Sequence, residues 1–97
     1  MKAVFLVFNQ AIIEKVEYML DKLEVRGFSQ WENIQGRGSV DGDPHYGNHT
    51  WPEINVATLV VVEDNMVDII LEKVKKIDEI NKEVGIRAFV WNIERTF

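Results

Sequence analysis

The stretch AVFLVF, residues 3–8, decides how this chain can fold. Its apolar, β-branched and aromatic side chains predict a buried strand, because such residues suit a pleated sheet. Side chains alternate along a strand, so this run presents apolar groups to both faces of the sheet. One face receives Ala3, Phe5 and Val7, and the other receives Val4, Leu6 and Phe8.

Five further elements follow from the pattern of apolar residues along the chain. The predicted order is a strand over 3–8, a helix over 11–25, a strand over 28–35, a strand over 54–62, a helix from 64 or 65 to about 83, and a strand over 87–93. This βαββαβ order predicts one α+β domain over 1–97. Its expected fold is a ferredoxin-like two-layer sandwich, with four antiparallel strands and both helices on one face.

Polar residues and glycines mark the expected helix ends. Asn9 can cap the first helix, and Gly27 sits where that helix should stop. Asp64 or Asn65 can cap the second helix, and Gly85 is expected to end it.

Composition excludes several functional classes. The net charge is −5, from 16 acidic and 11 basic residues without a basic run, which argues against nucleic-acid binding. The absence of cysteine rules out disulfide and thiolate chemistry. The longest apolar run is too short for a membrane span or a signal peptide. We therefore expect no membrane insertion and a cytoplasmic location.

The apolar character of both sheet faces predicts self-association. Two helices can cover only one face of a four-stranded sheet. Burying a single large apolar side chain contributes about 1.5–3 kcal/mol, so leaving the second face in water is unfavourable. Other copies of the chain are the expected cover, most simply in a closed ring.

The segment GRGSVDGDPHYGNHTWP, residues 36–52, predicts a long loop. It contains four of the six glycines, both prolines and both histidines. Compact domains usually connect their elements with about four to six residues, so this loop is either a tolerated insertion or a functional segment. We favour a functional segment that faces a ligand or a target protein. Its candidate contacts are His45, Tyr46, His49 and Trp51.

Three kinds of chemistry can be considered for the loop. Gly36, Arg37 and Gly38 offer backbone N–H groups and a guanidinium to an anion, although the glycines could equally serve a strand bulge. His45 and His49 offer metal ligands, or hydrogen bonds to a neighbouring subunit. Catalysis is not predicted, because no acid–base pair or nucleophile pattern stands out.

Three segments resemble the PII signal-transduction proteins. IQGRGSVDG over 34–42 is similar to the entry of that family's T-loop, with the spacing of its glycines. VEDNMVDIILEKV over 62–74 resembles the start of the family's second helix, and FVWNIER over 89–95 resembles its last core strand. Together with Gly27, these segments extend the resemblance over nearly the whole chain.

The resemblance implies a homotrimeric regulator without enzymatic activity. Such a protein binds a small effector, often an adenine nucleotide, in clefts between subunits and signals to a target protein through the loop. The base of the loop would form one wall of the cleft, and the turn before the last strand would form the other. The implied ligand-binding residues are Gly36, Arg37, Gly38, Gly85, Arg87 and Arg95.

The chain departs from the PII pattern in two places. Ser39 or Val40 stands where the family carries a glutamine, so sensing of 2-oxoglutarate is not expected. The phosphate-binding turn is shortened to KEVGIR over 82–87, in which Arg87 could replace a lysine. Trimeric cation-tolerance proteins share the fold, so a trimer that binds a divalent metal ion through His45 and His49 is the alternative. An assembly module without a ligand is the third possibility.

Overall fold

Six regular elements follow one another in the predicted βαββαβ order. The computed structural model describes residues 1–36 and 54–97. The elements are β1 (Lys2–Asn9), α1 (Ile13–Lys22), β2 (Ser29–Gln35), β3 (Ile54–Val62), α2 (Val67–Ile80) and β4 (Ile86–Asn92). A single 3₁₀ turn precedes each helix, over Gln10–Ile12 and Asp64–Met66.

The four strands form one antiparallel sheet in the order β2-β3-β1-β4. β1 is therefore central, as expected for the most apolar run of the chain. Its neighbours place Val60 and Val90 opposite Val4, on the face that the helices cover. This arrangement confirms the ferredoxin-like sandwich.

The hydrophobic core lies between the sheet and the two helices. Alternate side chains of β1 point into it, and they meet the apolar stripes predicted for both helices. The buried members include Val4, Leu6, Phe8, Val16, Leu20, Val56, Val60, Ile70, Val74 and Ile86. Thr58 is also fully buried there, and its hydroxyl has no hydrogen-bond partner among the described residues.

The other face of the sheet is apolar and uncovered within the described part of the chain. We call it the open face. Phe5 lies at its centre, half-buried between the rings of Trp31 and Trp91. The exposed apolar side chains of this face are Trp31, Val61, Phe89 and Trp91, each about half accessible to solvent. The prediction of two apolar faces, of which the helices cover one, is confirmed.

The end of α1 differs from the prediction. The helix stops at Lys22, and Glu24 takes the left-handed conformation with φ 61°. Glu24 N–H donates to the Asp21 carbonyl at 3.0 Å, and Val25 N–H donates to the Leu20 carbonyl at 2.9 Å. These two bonds form a Schellman motif, which satisfies the last carbonyls of the helix without a glycine. Gly27 as the helix stop was therefore wrong.

The ends of α2 also differ from the prediction. Neither Asp64 nor Asn65 makes a side-chain cap, because Asp64 Oδ1 instead lies 2.9 Å from the amino group of Met1. That hydrogen bond lowers the pKa of the Asp64 carboxyl below its ordinary value. At the other end, Asn81 rather than Gly85 closes the helix, since its backbone N–H and its side-chain amide both donate to the Ile77 carbonyl. The predicted Asn9 cap is confirmed by a 2.9 Å hydrogen bond from Ala11 N–H.

A β-bulge interrupts β2. Trp31 opposes Ala57 and Ile34 opposes Asn55, so β2 uses one residue more than β3 over this interval. Asn33 takes the left-handed conformation there, with φ 60°, which asparagine tolerates better than most residues. The extra residue places both Trp31 and Ile34 on the open face, which explains the irregular alternation in the sequence of this strand.

Candidate ligand site at one end of the sheet

All four strands bring polar or glycine residues to one end of the sheet. Gly36 follows the last residue of β2, whose neighbour Gln35 pairs with Ile54 at the start of β3. Asn55 of β3 pairs with Asn9 at the end of β1. Asn9 N–H in turn donates to the Gly85 carbonyl, at 3.3 Å, just before β4. The predicted residues Gly36 and Gly85 therefore lie at the same end of one sheet.

Gly36 is packed closely against β3. A Cβ atom at this position would lie 3.1 Å from the Asn55 side-chain nitrogen, which is tighter than most contacts of real Cβ atoms. Glycine is therefore the residue that fits beside Asn55 without displacing its side chain. Packing within the chain is enough to explain Gly36, and the same close approach leaves the backbone at the loop entry accessible.

Gly85 has the opposite surroundings. A Cβ atom there would meet no heavy atom within 4 Å. Packing among the described residues therefore does not require a glycine at this turn. The backbone of the turn is open to a group that approaches from outside the chain.

Arg87 lies beside this turn and is held by two contacts. Its Nη1 donates to the Ile86 carbonyl at 3.0 Å and lies 3.7 Å from Asp78 Oδ1. The side chains of Arg87 and Asp78 are both largely exposed, so their ion pair adds little to stability. A guanidinium has five N–H donors, so Arg87 retains donors for an anion.

The two candidate walls lie at opposite edges of the sheet. Gly36 extends from β2, whereas Gly85 and Arg87 belong to the β4 side, and β3 and β1 lie between them. At a strand spacing of about 4.8 Å, three such spacings separate the walls by about 14 Å. One chain therefore does not bring the two walls together into a single pocket.

Arg95 lies away from the other candidates. It follows the end of β4, where Asn92 pairs with Lys2 and Ile93 N–H donates to the Met1 carbonyl. The strand from Arg87 to Asn92 alone covers about 17 Å at about 3.4 Å per residue. Within one chain, Arg95 and Arg87 therefore cannot contact the same small ligand.

The remaining predicted site residues lie outside the described residues. These are Arg37, Gly38, His45, Tyr46, His49 and Trp51. Within 1–36 and 54–97, no group of three or more histidine, cysteine, aspartate or glutamate side chains could hold a metal ion. The metal hypothesis rests on His45 and His49 and stays a prediction.

Two participants were missed by the sequence analysis. Asp78 orients Arg87 and also accepts a 3.4 Å hydrogen bond from Ile86 N–H, which fixes the start of β4. Asn55 contacts Gly36 and was treated only as part of a strand. Polar residues at the ends of predicted strands are the signal that could have found Asn55. Asp78 lies within a helix, and its partner depends on how the following turn folds back.

None of the helices in the described part of the chain is long and apolar enough to cross a membrane.

Comparisons with known proteins agree with the fold and point to one family. The family model described as nitrogen regulatory protein P-II matches residues 1–97. A search of curated protein sequences finds no match.

Solved structures with the same fold include CPII, a nitrogen regulatory PII-like protein from Thiomonas intermedia K12. Its complex with ADP, AMP and bicarbonate superposes with a TM-score of 0.69 at 18% identity, covering 99% of this chain and 94% of that chain. Its complex with ADP and bicarbonate gives a TM-score of 0.68 at 21% identity, covering 97% and 88%. A protein from Thermus thermophilus, described as PII-like in signaling, gives 0.66 at 16% identity, covering 95% and 85%.

Proposed function

Because the chain belongs to the nitrogen regulatory protein P-II family, we propose that it is a homotrimeric regulator that binds an adenine nucleotide in clefts between subunits. The match over residues 1–97 confirms the resemblance of the three sequence segments to this family. Regulation of a target protein would be exerted through the loop 36–52. The steps below give the support for each part of this proposal.

The observation that carries the proposal is the separation of the two candidate walls. Gly36 lies at the β2 edge and Arg87 at the β4 edge, at the same end of the sheet. A neighbouring subunit that placed its β4 edge beside the β2 edge of the first would complete a pocket. A site built in this way exists only in the assembly, which suits a sensor whose parts move relative to each other.

The open face supports association through the sheets. Trp31, Phe89 and Trp91 each expose about half of their surface there, around the half-buried Phe5. Contiguous apolar surface of this kind usually marks an interface between proteins. A closed ring of three copies would cover all three open faces in the same way.

The chemistry of the turn supports an anionic effector. Gly85 leaves its backbone open to close approach, and Arg87 presents guanidinium N–H donors beside it. Phosphate groups bind well to such donors. CPII, which shares the fold, binds ADP, AMP and bicarbonate, and all three are anions. We therefore propose an adenine nucleotide as the effector, with bicarbonate tested beside it.

The loop would transmit the bound state to a target protein in the cytoplasm. His45, Tyr46, His49 and Trp51 are the proposed contacts, because large side chains on a long loop suit recognition of a partner. Arg37 and Gly38 at its base would add a cation and an accessible backbone to the cleft. Arg95 could enter the site only from another subunit.

Two measurements test the proposal. Sedimentation equilibrium should give the mass of three chains, and isothermal titration calorimetry should show binding of ADP, AMP or ATP to that assembly. Arg87→Ala should weaken nucleotide binding by about tenfold or more, because a hydrogen bond to a charged group contributes about 1.5–3 kcal/mol. Arg26→Ala is the matched control, since Arg26 is exposed in the connection between α1 and β2.

The outcomes separate the alternatives. A stable monomer would remove the cleft and the proposal with it. A trimer that ignores nucleotides and bicarbonate would support an assembly module. A trimer whose melting temperature rises only with a divalent metal ion, and loses that response in His45→Ala and His49→Ala, would support the metal-binding alternative.

A further inference from the structure

A groove runs between α1 and α2, on the layer of the molecule opposite to the open face. Its volume is about 510 Å³. Its floor is apolar and consists of Met19 and Leu23 from α1 and Ile77 and Ile80 from α2. Tyr18 extends this floor along α1. The groove contains none of the residues assigned to the nucleotide cleft.

The apolar floor is unusually accessible for a helix pair. The sequence places Ile80 on the apolar stripe of the second helix, yet 76% of its surface is exposed. Tyr18 is 64% exposed. These side chains therefore lie beside the core rather than in it, and they are available to an external apolar group.

Lysines line both sides of the groove. Lys15 and Lys22 lie on α1, and Lys73 and Lys76 lie on α2, so four of the seven lysines of the chain are gathered here. Among the described residues, Glu14 is the one acidic side chain that lines it. The chain as a whole carries a net charge of −5, so this positive border stands against the overall charge.

Three of these lysines are held in place around the floor. Lys15 Nζ donates to Asn81 Oδ1 at 2.8 Å, which links α1 to the end of α2. Lys22 Nζ lies 5.4 Å from the centre of the Tyr18 ring, and Lys76 Nζ lies 3.8 Å from Glu72 Oε1. Their positive charges are thus kept beside an apolar surface instead of ranging freely in solvent.

We propose that this groove binds an acidic amphipathic helix of a partner protein. Such a helix would place apolar side chains three and four residues apart on the floor, and its glutamates or aspartates would meet the lysines on both borders. The 10 residues of α1 span about 15 Å, which matches about three helical turns of the partner. This surface works independently of the trimer and of the nucleotide.

The shape and charge of the groove favour this occupant over two others. A planar anionic membrane would contact the lysine borders but would not reach a floor that lies between two helices. A second copy of this chain offers no free helix in the described part, because α1 and α2 both direct their apolar stripes into their own core.

The test uses a labelled probe peptide of about 14 residues, with leucine at helical spacings of three and four, glutamate on the flanks and alanine elsewhere. Fluorescence anisotropy should show saturable binding to the full chain, and a peptide of the same composition in scrambled order should bind at least about tenfold more weakly. Nuclear magnetic resonance shifts of the labelled protein should map to α1 and α2.

Two pairs of variants locate the site. Lys73→Glu should weaken binding by about fivefold or more, whereas Lys75→Glu, with the same charge change on α2 outside the groove, should stay within about twofold. Ile80→Ser should weaken binding by about tenfold, whereas Ile69→Ser, at another exposed isoleucine of the same helix, should not. Circular dichroism melts confirm that each variant is folded.

Three results would overturn the proposal. The first is equal binding of the ordered and scrambled peptides, or no binding of either. The second is binding of phosphatidylglycerol vesicles that depends on Lys73 and Ile80 while the peptide fails to compete. The third is a concentration-dependent association of the chain with itself that Ile80→Ser abolishes. Loss of nucleotide binding in Arg87→Ala would leave this proposal untouched.

Discussion

The ring of Phe5 lies 6.2 Å from the ring of Trp91, with an interplanar angle of 45°, on the face of the sheet that the helices do not cover. Trp31 lies on the other side of Phe5, at 6.4 Å. Three strands thus contribute one aromatic cluster to the open face. Aromatic pairs at these distances are favourable beyond their burial, and the cluster is therefore preorganised for a partner surface.

Trp91→Ser should shift the assembly towards single chains. The substitution removes the largest exposed side chain of β4 from the open face, at a position where full burial of a large aromatic is a major part of interface energy. Sedimentation velocity at micromolar concentration measures the change. Tyr18→Ser is the control, because Tyr18 is an exposed aromatic residue on the helical layer. Dissociation in both variants, or in neither, would contradict the proposed interface.

Asp78→Asn should strengthen nucleotide binding by up to about fivefold, since an exposed ion pair is worth about 0.2–1 kcal/mol. The amide keeps an acceptor for Ile86 N–H but removes the negative charge that lies 3.7 Å from Arg87 Nη1. Titration calorimetry with ADP measures the effect. Asp21→Asn, an exposed site on α1, controls for the change in net charge. Weaker binding in Asp78→Asn would mean that Asp78 positions Arg87 rather than competing with the ligand.

Features that depend on periodicity could be predicted from the sequence. The alternation in β1 assigned Val4, Leu6 and Phe8 to one face, and burial of these residues confirms it. Only local geometry and the avoidance of exposed apolar surface enter that argument. The same reasoning failed for Ile80, because the stripe of α2 continues past the point where α1 can cover it.

Helix ends could not be predicted, because their partners come from elsewhere in the chain. Asp64 has the chemistry of a cap, yet it bonds the amino group of Met1, which the sheet brings close by pairing Lys2 with Val62. Glu24 occupies a conformation usually reserved for glycine, since the Schellman bonds and the packing of Val25 against the core hold it there.

The candidate site could be predicted only in part. Its glycines and Arg87 were identified from their resemblance to a family motif, and the topology then placed them at one end of the sheet. The contact between Asp78 and Arg87 depends on how the turn after Asn81 folds back onto α2, which no spacing in the sequence encodes.

Glu24→Gly should raise the free energy of unfolding by about 0.5–1 kcal/mol, because glycine relieves the cost of a left-handed residue at φ 61°. Urea denaturation measures the change. Gly27→Ala should leave stability unchanged or slightly higher, since a Cβ atom there meets nothing within 4 Å. If Gly27 were the helix stop, alanine at that position would destabilise the protein, and Glu24→Gly would bring no gain.

Acid should remove a stabilising contact at Asp64. Its folded-state pKa is lowered by the hydrogen bond from the Met1 amino group, so the unfolded state binds the proton more readily. The contribution is therefore present above the ordinary carboxyl pKa of about 3.9 and is lost as the pH falls through the lower folded value. Thermal melts from pH 5 to pH 2 should show a smaller loss for Asp64→Asn than for the wild type. Asp68→Asn, in the first turn of α2, should behave like the wild type.

Thr58→Val should stabilise the protein by about 1 kcal/mol, although it removes a hydroxyl group from the centre of the sheet. Thr58 is fully buried opposite Leu6, and its Oγ1 has no hydrogen-bond partner among the described residues. Valine has nearly the same shape and avoids the desolvation cost of an unpaired hydroxyl group. Urea denaturation measures the gain.

Two control variants separate the hydroxyl group from general effects at Thr58. Thr58→Ser keeps the hydroxyl and loses the methyl group, so it should destabilise the protein by about 1 kcal/mol. Thr96→Val, at an exposed position beyond β4, should change stability by less than about 0.5 kcal/mol. A loss of stability in Thr58→Val would show that the hydroxyl group has a partner in the assembled protein. The sheet would then contain a polar contact that subunit association completes.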